Sequence, residues 1–287
     1  FSQCRFSSVQ KLVVRAPDES TFDLDLSTFL GPSLTDINLK LNLNRQGPCI
    51  KNFLPILFSN VTHLYLTITS GAAAKLFPHL QNLTSLALVI RDHGDILESV
   101  ARLNNLNNLH IEYGLDTDLT VALLAPLRHM NLTRFVLRQD NRFTLDGSAI
   151  PLSALPNLFG SHATMERLEF AWQGSLYFDD NTQDVLWALG QVYSKVNWCS
   201  LTAASLPSNL RPSNAYQAYP PMWPSLRRLD LWEMIEPDYA DNYANYCTHF
   251  ANQIILHLPN VSKITVAHKK PFCSRIRREC SSLGKII

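Results

Sequence analysis

Glycine is scarce in this chain, with ten in 287 residues against 45 leucines. That balance works against a glycine-rich cofactor fold, where the backbone must pass close to a phosphate, and favours regular leucine packing. The catalytic fingerprints are missing too: there is no G-x-G-x-x-G, Walker loop, G-x-S-x-G elbow or H-E-x-x-H. Charge of one sign is also lacking. The net charge is +1, so no global field points to nucleic acid. No stretch approaches the roughly 20 apolar residues of a membrane span, and no signal peptide is visible. Phe1 stands where a Met would begin a full-length product, as in a fragment or processed chain. These absences argue against an enzyme: no catalytic residue, metal site or cofactor is expected, and neither nucleic acid nor membrane as partner.

Paired cysteine motifs are absent as well. Cys4, Cys49, Cys199, Cys247, Cys273 and Cys280 form no CxxC and no knot-like cluster. Zinc sites need closer spacing with histidines in register. The six read as free thiols in a reducing compartment, cytoplasmic or nuclear. An even count keeps disulfides in a secreted chain as the alternative.

What is present is a repeat. Hydrophobic residues make up 46% of the chain, enough for a large core. The pattern apolar-x-x-apolar-x-apolar recurs ten times. It begins with Val9–Leu12–Val14, Leu34–Ile37–Leu39, Val61–Leu64–Leu66, Leu83–Leu86–Leu88 and Leu106–Leu109–Ile111. It continues with Leu132–Phe135–Leu137, Met165–Leu168–Phe170, Val196–Cys199–Leu201, Leu226–Leu229–Leu231 and Val261–Ile264–Val266. Successive starts lie 25, 27, 22, 23, 26, 33, 31, 30 and 35 residues apart. One such hexad is ordinary; ten at this spacing are a repeat architecture.

Alternation at the last two apolar positions predicts a short strand with one buried face. Helical spacing falls between hexads at 73–80, 96–103, 119–127, 184–192 and 250–258. One strand and one helix cannot bury their apolar faces alone, whereas stacked copies can. The expected fold is α/β: a solenoid of about ten irregular repeats, with a concave parallel sheet and convex helices.

The segments LQNLTSLALVI and WPSLRRLDLWEM, residues 80–90 and 223–234, resemble the L-x-x-L-x-L core of the leucine-rich-repeat family. The resemblance covers 9–266, so residues 1–287 read as one leucine-rich-repeat domain with a basic end at 267–287. The family's asparagine after the strand fits at Asn42, but Thr69, Arg91, Gln173 and Met234 stand at equivalent positions elsewhere. A regular asparagine ladder at that point is not expected. The repeats lengthen along the chain, which is similar to the repeat domains of F-box/leucine-rich-repeat proteins. That resemblance implies a substrate-recruiting adaptor of a cullin–RING ubiquitin ligase, which would meet the other ligase subunits through a segment outside this chain.

Residues between the apolar positions of each hexad should point away from the core. One column reads Asp36, His63, Ser85, Asn108, Arg134, Arg167, Trp198, Arg228 and Lys263. The next reads Asn38, Tyr65, Ala87, His110, Val136, Glu169, Ser200, Asp230 and Thr265; a third holds Lys40, Glu112, Arg138 and Trp232. Arg, Trp and Tyr are enriched at binding hot spots. The candidate partner-binding residues are Tyr65, His110, Arg138, Arg167, Trp198, Arg228 and Trp232, expected as one patch for a protein partner on the concave face.

Other features stay open. Residues 207–224 are proline-rich, with Tyr216, Tyr219 and Trp223, and 233–246 are acidic and tyrosine-rich; both could rim the same face. From Lys263 onward seven basic residues stand against Glu279, either a solvated end or a dock for an acidic partner. Sequons at Asn60, Asn82, Asn131 and Asn260 share one register before the hexad. The repeat itself generates them, or they bear sugars in a secreted or cell-surface recognition protein.

Overall fold

A computed structural model describes residues 8–15, 33–42, 59–68, 73–74, 76–90, 96–113, 121–139, 150–151, 164–171, 176–177, 193–202, 223–232, 258 and 260–267. The chain divides into two compact units, Phe1–Thr117 and Asp118–Ile287. In the first, each hexad supplies one strand: β1 (Lys11–Arg15), β2 (Asp36–Asn42), β3 (His63–Ile68), β4 (Ser85–Ile90) and β5 (Asn108–Tyr113). All four successive pairings are parallel. In the second unit the hexads give β6 (Arg134–Gln139), β8 (Arg167–Ala171), β10 (Trp198–Thr202), β11 (Arg228–Trp232) and β12 (Lys263–Ala267), also parallel throughout. A separate parallel pair joins β7 (Ile150–Pro151) to β9 (Leu176–Tyr177). Within each unit the chain is thus a solenoid of stacked coils, one hexad strand to a coil, with β7 and β9 as short second strands in two coils of the second unit.

The hexad sets the register. Leu64 pairs with Leu86 and Leu66 with Leu88; Leu86 then meets Leu109, and Leu88 meets Ile111. In the second unit Phe135 pairs with Leu168, Leu168 with Cys199, and Cys199 with Leu229. A one-residue slip would turn each of these side chains to the other face, so burial locks the pairing. The first apolar residue of the hexad is also core: Leu34, Val61, Leu83, Leu106, Leu132, Met165, Val196, Leu226 and Val261 are all buried. Each such side chain contributes about 1.5–3 kcal/mol by leaving water.

The apolar pattern reaches one step further back than the hexad. Leu80, Leu103, Tyr193, Trp223 and Leu258 are buried three residues before it. The backbone carbonyl of each accepts the N–H that opens the hexad: Leu83, Leu106, Val196, Leu226 and Val261. This turn brings the chain up onto the strand. Trp223 is therefore a core residue and not part of an exposed aromatic loop. Its indole N–H donates to the Tyr193 carbonyl of the preceding coil at 3.1 Å. The rest of 207–222, the segment 233–246 and the basic residues beyond 267 lie outside the described residues.

Coils are stitched together just before each strand. One carbonyl accepts two successive N–H groups from the next coil: Thr62 takes Thr84 and Ser85, Thr84 takes Asn107 and Asn108, Asn197 takes Arg227 and Arg228. Side chains reinforce the seam. Thr62 and Thr84 hydroxyls donate to the carbonyls of Thr35 and Thr62. The amides of Asn82, Asn105 and Asn260 donate to the carbonyls of Ser59, Gln81 and Pro224 at 2.6, 2.7 and 2.8 Å. Among the described residues, asparagine contacts between coils therefore exist before the strand. Asn42, the residue that fits the family's usual position, lies where the β2–β3 register shifts.

Helix is sparser than the periodicity suggests. Among the described residues α-helix covers 73–74, 76, Ile96–Val100 and Val121–Leu124, and the 3-10 turns are Phe77–His79 and Ala125–His129. Pro78 and Pro126 occupy the first turns of the two 3-10 segments, where a missing N–H costs nothing. Coils of 22–26 residues leave room for one or two helical turns and no more. The expected helices at 184–192 and 250–257 lie outside the described residues.

Candidate functional site

In the first unit the outward face is lightly charged. Lys11 Nζ and Asp36 form an exposed ion pair at 2.9 Å across β1 and β2. Tyr65 on β3 and His110 on β5 flank Ala87 in one register row, so these two candidates lie near each other. Burial, then the Glu112 carboxylate, raises the Tyr65 phenol above its ordinary value, which keeps it a neutral donor. His110 is half-buried.

The second unit builds something different on the same positions. Arg138 reaches from β6 to Glu169 on β8, its Nε and Nη2 donating to Oε1 at 2.9 and 2.5 Å. Arg167 Nη2 donates to the other carboxylate oxygen at 2.7 Å. The Arg167 guanidinium lies 3.3 Å from the centre of the Trp198 ring, and that of Arg228 lies 4.2 Å from it. Trp198 Nε1 donates to Asp230 at 2.7 Å, and Arg228 Nε donates to both oxygens of the same carboxylate. Arg138, Arg167, Trp198 and Arg228 are therefore one connected network across β6, β8, β10 and β11. Trp232 shares the end of β11 with them in register, but its side chain lies outside what is described.

The outward column is not a simple solvent face here. Val136, Glu169, Ser200 and Asp230 are all buried, with Asp230 only 1% exposed. Long arginine and tryptophan side chains from the flanking columns satisfy the two carboxylates. Burial pushes Glu169 toward a higher pKa, but hydrogen bonds and charge from Arg138 and Arg167 outweigh it and hold the carboxyl below its ordinary value. Side chains held this way are fixed before any ligand arrives.

Sequence reading singled out the cations and the tryptophan but missed the carboxylates that anchor them. The signal was there: Arg167-Leu-Glu169 and Arg228-Leu-Asp230 place an acid two residues after an arginine. On a strand, i and i+2 share a face.

Of the cysteines only Cys199 lies among the described residues. It is a free, fully buried thiol whose pKa burial, then Asp230, drives up, so it is no nucleophile at neutral pH. Among the described residues no three His, Cys, Asp or Glu gather into a group able to hold a metal, and no helix is long and apolar enough to cross a membrane. No protein-family model matches the chain, and no curated protein matches it.

Proposed function

We propose that this chain is a protein-binding scaffold that engages its partner through the arginine–tryptophan network of the second unit. The observation behind this is Trp198 flanked by two guanidiniums, each tied to a carboxylate on the same face. Arg and Trp supply much of the energy at protein interfaces, and side chains already fixed lose little entropy on binding. Such work needs shape and anchors, and no catalytic group. The finer reading is a leucine-rich-repeat adaptor that recruits substrates to a cullin–RING ubiquitin ligase. Its support is the ten hexads and their parallel register.

The test is partner capture by the double variant Arg138→Ala/Trp198→Ala, with the folded state checked by circular dichroism. Each true anchor should cost about 2 kcal/mol, roughly thirtyfold in affinity. His63→Ala, on an exposed position of β3, is the control and should leave binding unchanged. A folded double variant that keeps every partner rules out this face.

A rival reading, a secreted or cell-surface glycosylated recognition protein, has one observation in its favour: all four sequon asparagines are exposed. Against it, the Asn82 and Asn260 amides already serve the seam between coils. Sugar on these asparagines in the native protein would select the rival.

A further inference from the structure

Four guanidiniums lie on the outward face of the second unit's β6, β8 and β11, those of Arg134, Arg138, Arg167 and Arg228, against the two carboxylates of Glu169 and Asp230. The carboxylates are fully engaged. Both Glu169 oxygens are taken by Arg138 and Arg167, and both Asp230 oxygens by Arg228, with Trp198 adding to one of them. Arg134 is left over. Its buried Nε meets no acceptor, and it forms no ion pair among the described residues. Burial, then the charge of Arg167, depresses its pKa, with Glu169 acting the other way.

The sequence explains why. Arg167 and Arg228 each have an acid two residues on, whereas Arg134 is followed at that position by Val136. Arg134 is also the direct register partner of Arg167, whose own Nε is buried without an acceptor. Two like charges opposite each other across a ladder destabilise it. The two buried Nε groups without acceptors add to that cost. What would relieve both is one anion with several oxygens, placed against two adjacent guanidinium forks.

Charge selects among anions. The face has a surplus of two positive charges over its carboxylates. A carboxylate brings one negative charge, while a phosphoryl group at neutral pH brings about 1.5 to 2 and three acceptor oxygens. We propose that Arg134 and Arg167 form a seat for a phosphorylated side chain of the bound protein. This rests on the scaffold reading and adds a condition to it: the partner is recognised when phosphorylated.

The test uses the whole chain with inorganic phosphate, followed by degenerate peptides fixed at phosphoserine, glutamate or serine. Phosphate should raise the melting temperature saturably, where chloride at equal ionic strength does not. The phosphoserine peptides should bind at least about tenfold tighter than the glutamate ones. Arg134→Gln should abolish both responses and yet raise the melting temperature of the free chain, because it removes the uncompensated charge. A merely structural arginine would lower it. Arg134→Lys, which keeps charge without the fork, should restore only part of the binding.

Equal binding of glutamate and phosphoserine peptides overturns the proposal, as does an unchanged phosphate response in Arg134→Gln. Binding to vesicles containing phosphoinositide, without binding to phosphoserine peptides, overturns the protein as occupant. A partner that survives phosphatase treatment but is lost with Arg138→Ala/Trp198→Ala leaves the scaffold reading standing and removes the phosphate. A partner retained by that double variant removes the scaffold reading itself.

Discussion

The two units share an inward face and differ in their outward one. Inside, Leu64, Leu86 and Leu109 of the first unit are matched by Phe135, Leu168 and Cys199 of the second, all buried on parallel strands. Outside, the first unit has His63, Ser85 and Asn108 where the second has Arg134, Arg167 and Trp198. Among the described residues the one salt bridge of the first unit is exposed, with Lys11 62% accessible. Those of the second end on carboxylates 7% and 2% accessible. Stacking dictates the inward residues, since every coil must present the same apolar profile to its neighbours. It places no such demand on the outward ones. A costly buried ionic network there calls for an explanation beyond folding, because well-packed apolar residues would serve stability at least as well.

The largest effect should be the same in both units. Leu109→Ala and Leu168→Ala each delete a fully buried side chain from an inward row, and each should cost about 2–5 kcal/mol in denaturant unfolding. All five tryptophans lie beyond residue 118, so fluorescence reports the second unit while far-ultraviolet dichroism reports both. A cost under about 1 kcal/mol at either position would break the equivalence of the inward faces.

Next comes Glu169→Gln, which keeps shape but leaves Arg138 and Arg167 without a counter-charge. The expected loss is about 1–3 kcal/mol. The pH dependence has a definite sign. A carboxyl with a lowered folded pKa stabilises fully above its unfolded value, about 4.3, and the gain disappears as pH falls through the folded value. Stability curves of the parent and Glu169→Gln should therefore lie apart at neutral pH and converge in acid. Parallel curves down to the acid limit would show that Glu169 adds no linked stability.

The inward half of the structure was legible in sequence because burial has a period. Ten hexads gave strand positions, parallel order and core residues, since an inward position tolerates only apolar side chains. The turn residues Tyr193 and Trp223 were not, because one copy carries leucine where another carries an aromatic ring, and only the backbone bond to the next residue but two reveals the shared role. Two of the three seam asparagines, Asn82 and Asn260, belong to sequons, which invite a chemical reading before a structural one. The network around Trp198 was half legible. Its arginines stand out by type, but Arg138 meets Glu169 across 31 residues, a partnership fixed by stacking register. Helix at 73–80 and 119–127 was legible in kind but not in form, since each stretch passes from α-helix into a 3-10 segment, at Phe77–His79 and Ala125–His129.

The smallest effect should come from Asp36→Asn. The Lys11–Asp36 pair spans neighbouring strands as the Arg138–Glu169 pair does, and its 2.9 Å length gives no hint of weakness. The difference is water. Asp36 is 33% accessible and Lys11 62%, so solvent and salt share their field, and holding the lysine chain costs rotamer freedom. The expected loss is below about 1 kcal/mol, and it should fade as ionic strength rises toward 1 M, where screening acts within about 3 Å. Glu169→Gln should keep most of its cost in the same salt, because its carboxylate is sheltered. Urea midpoints for both variants at low and high salt decide the matter. A salt-resistant loss at Asp36 as large as that at Glu169 would mean that burial does not separate the two outward faces.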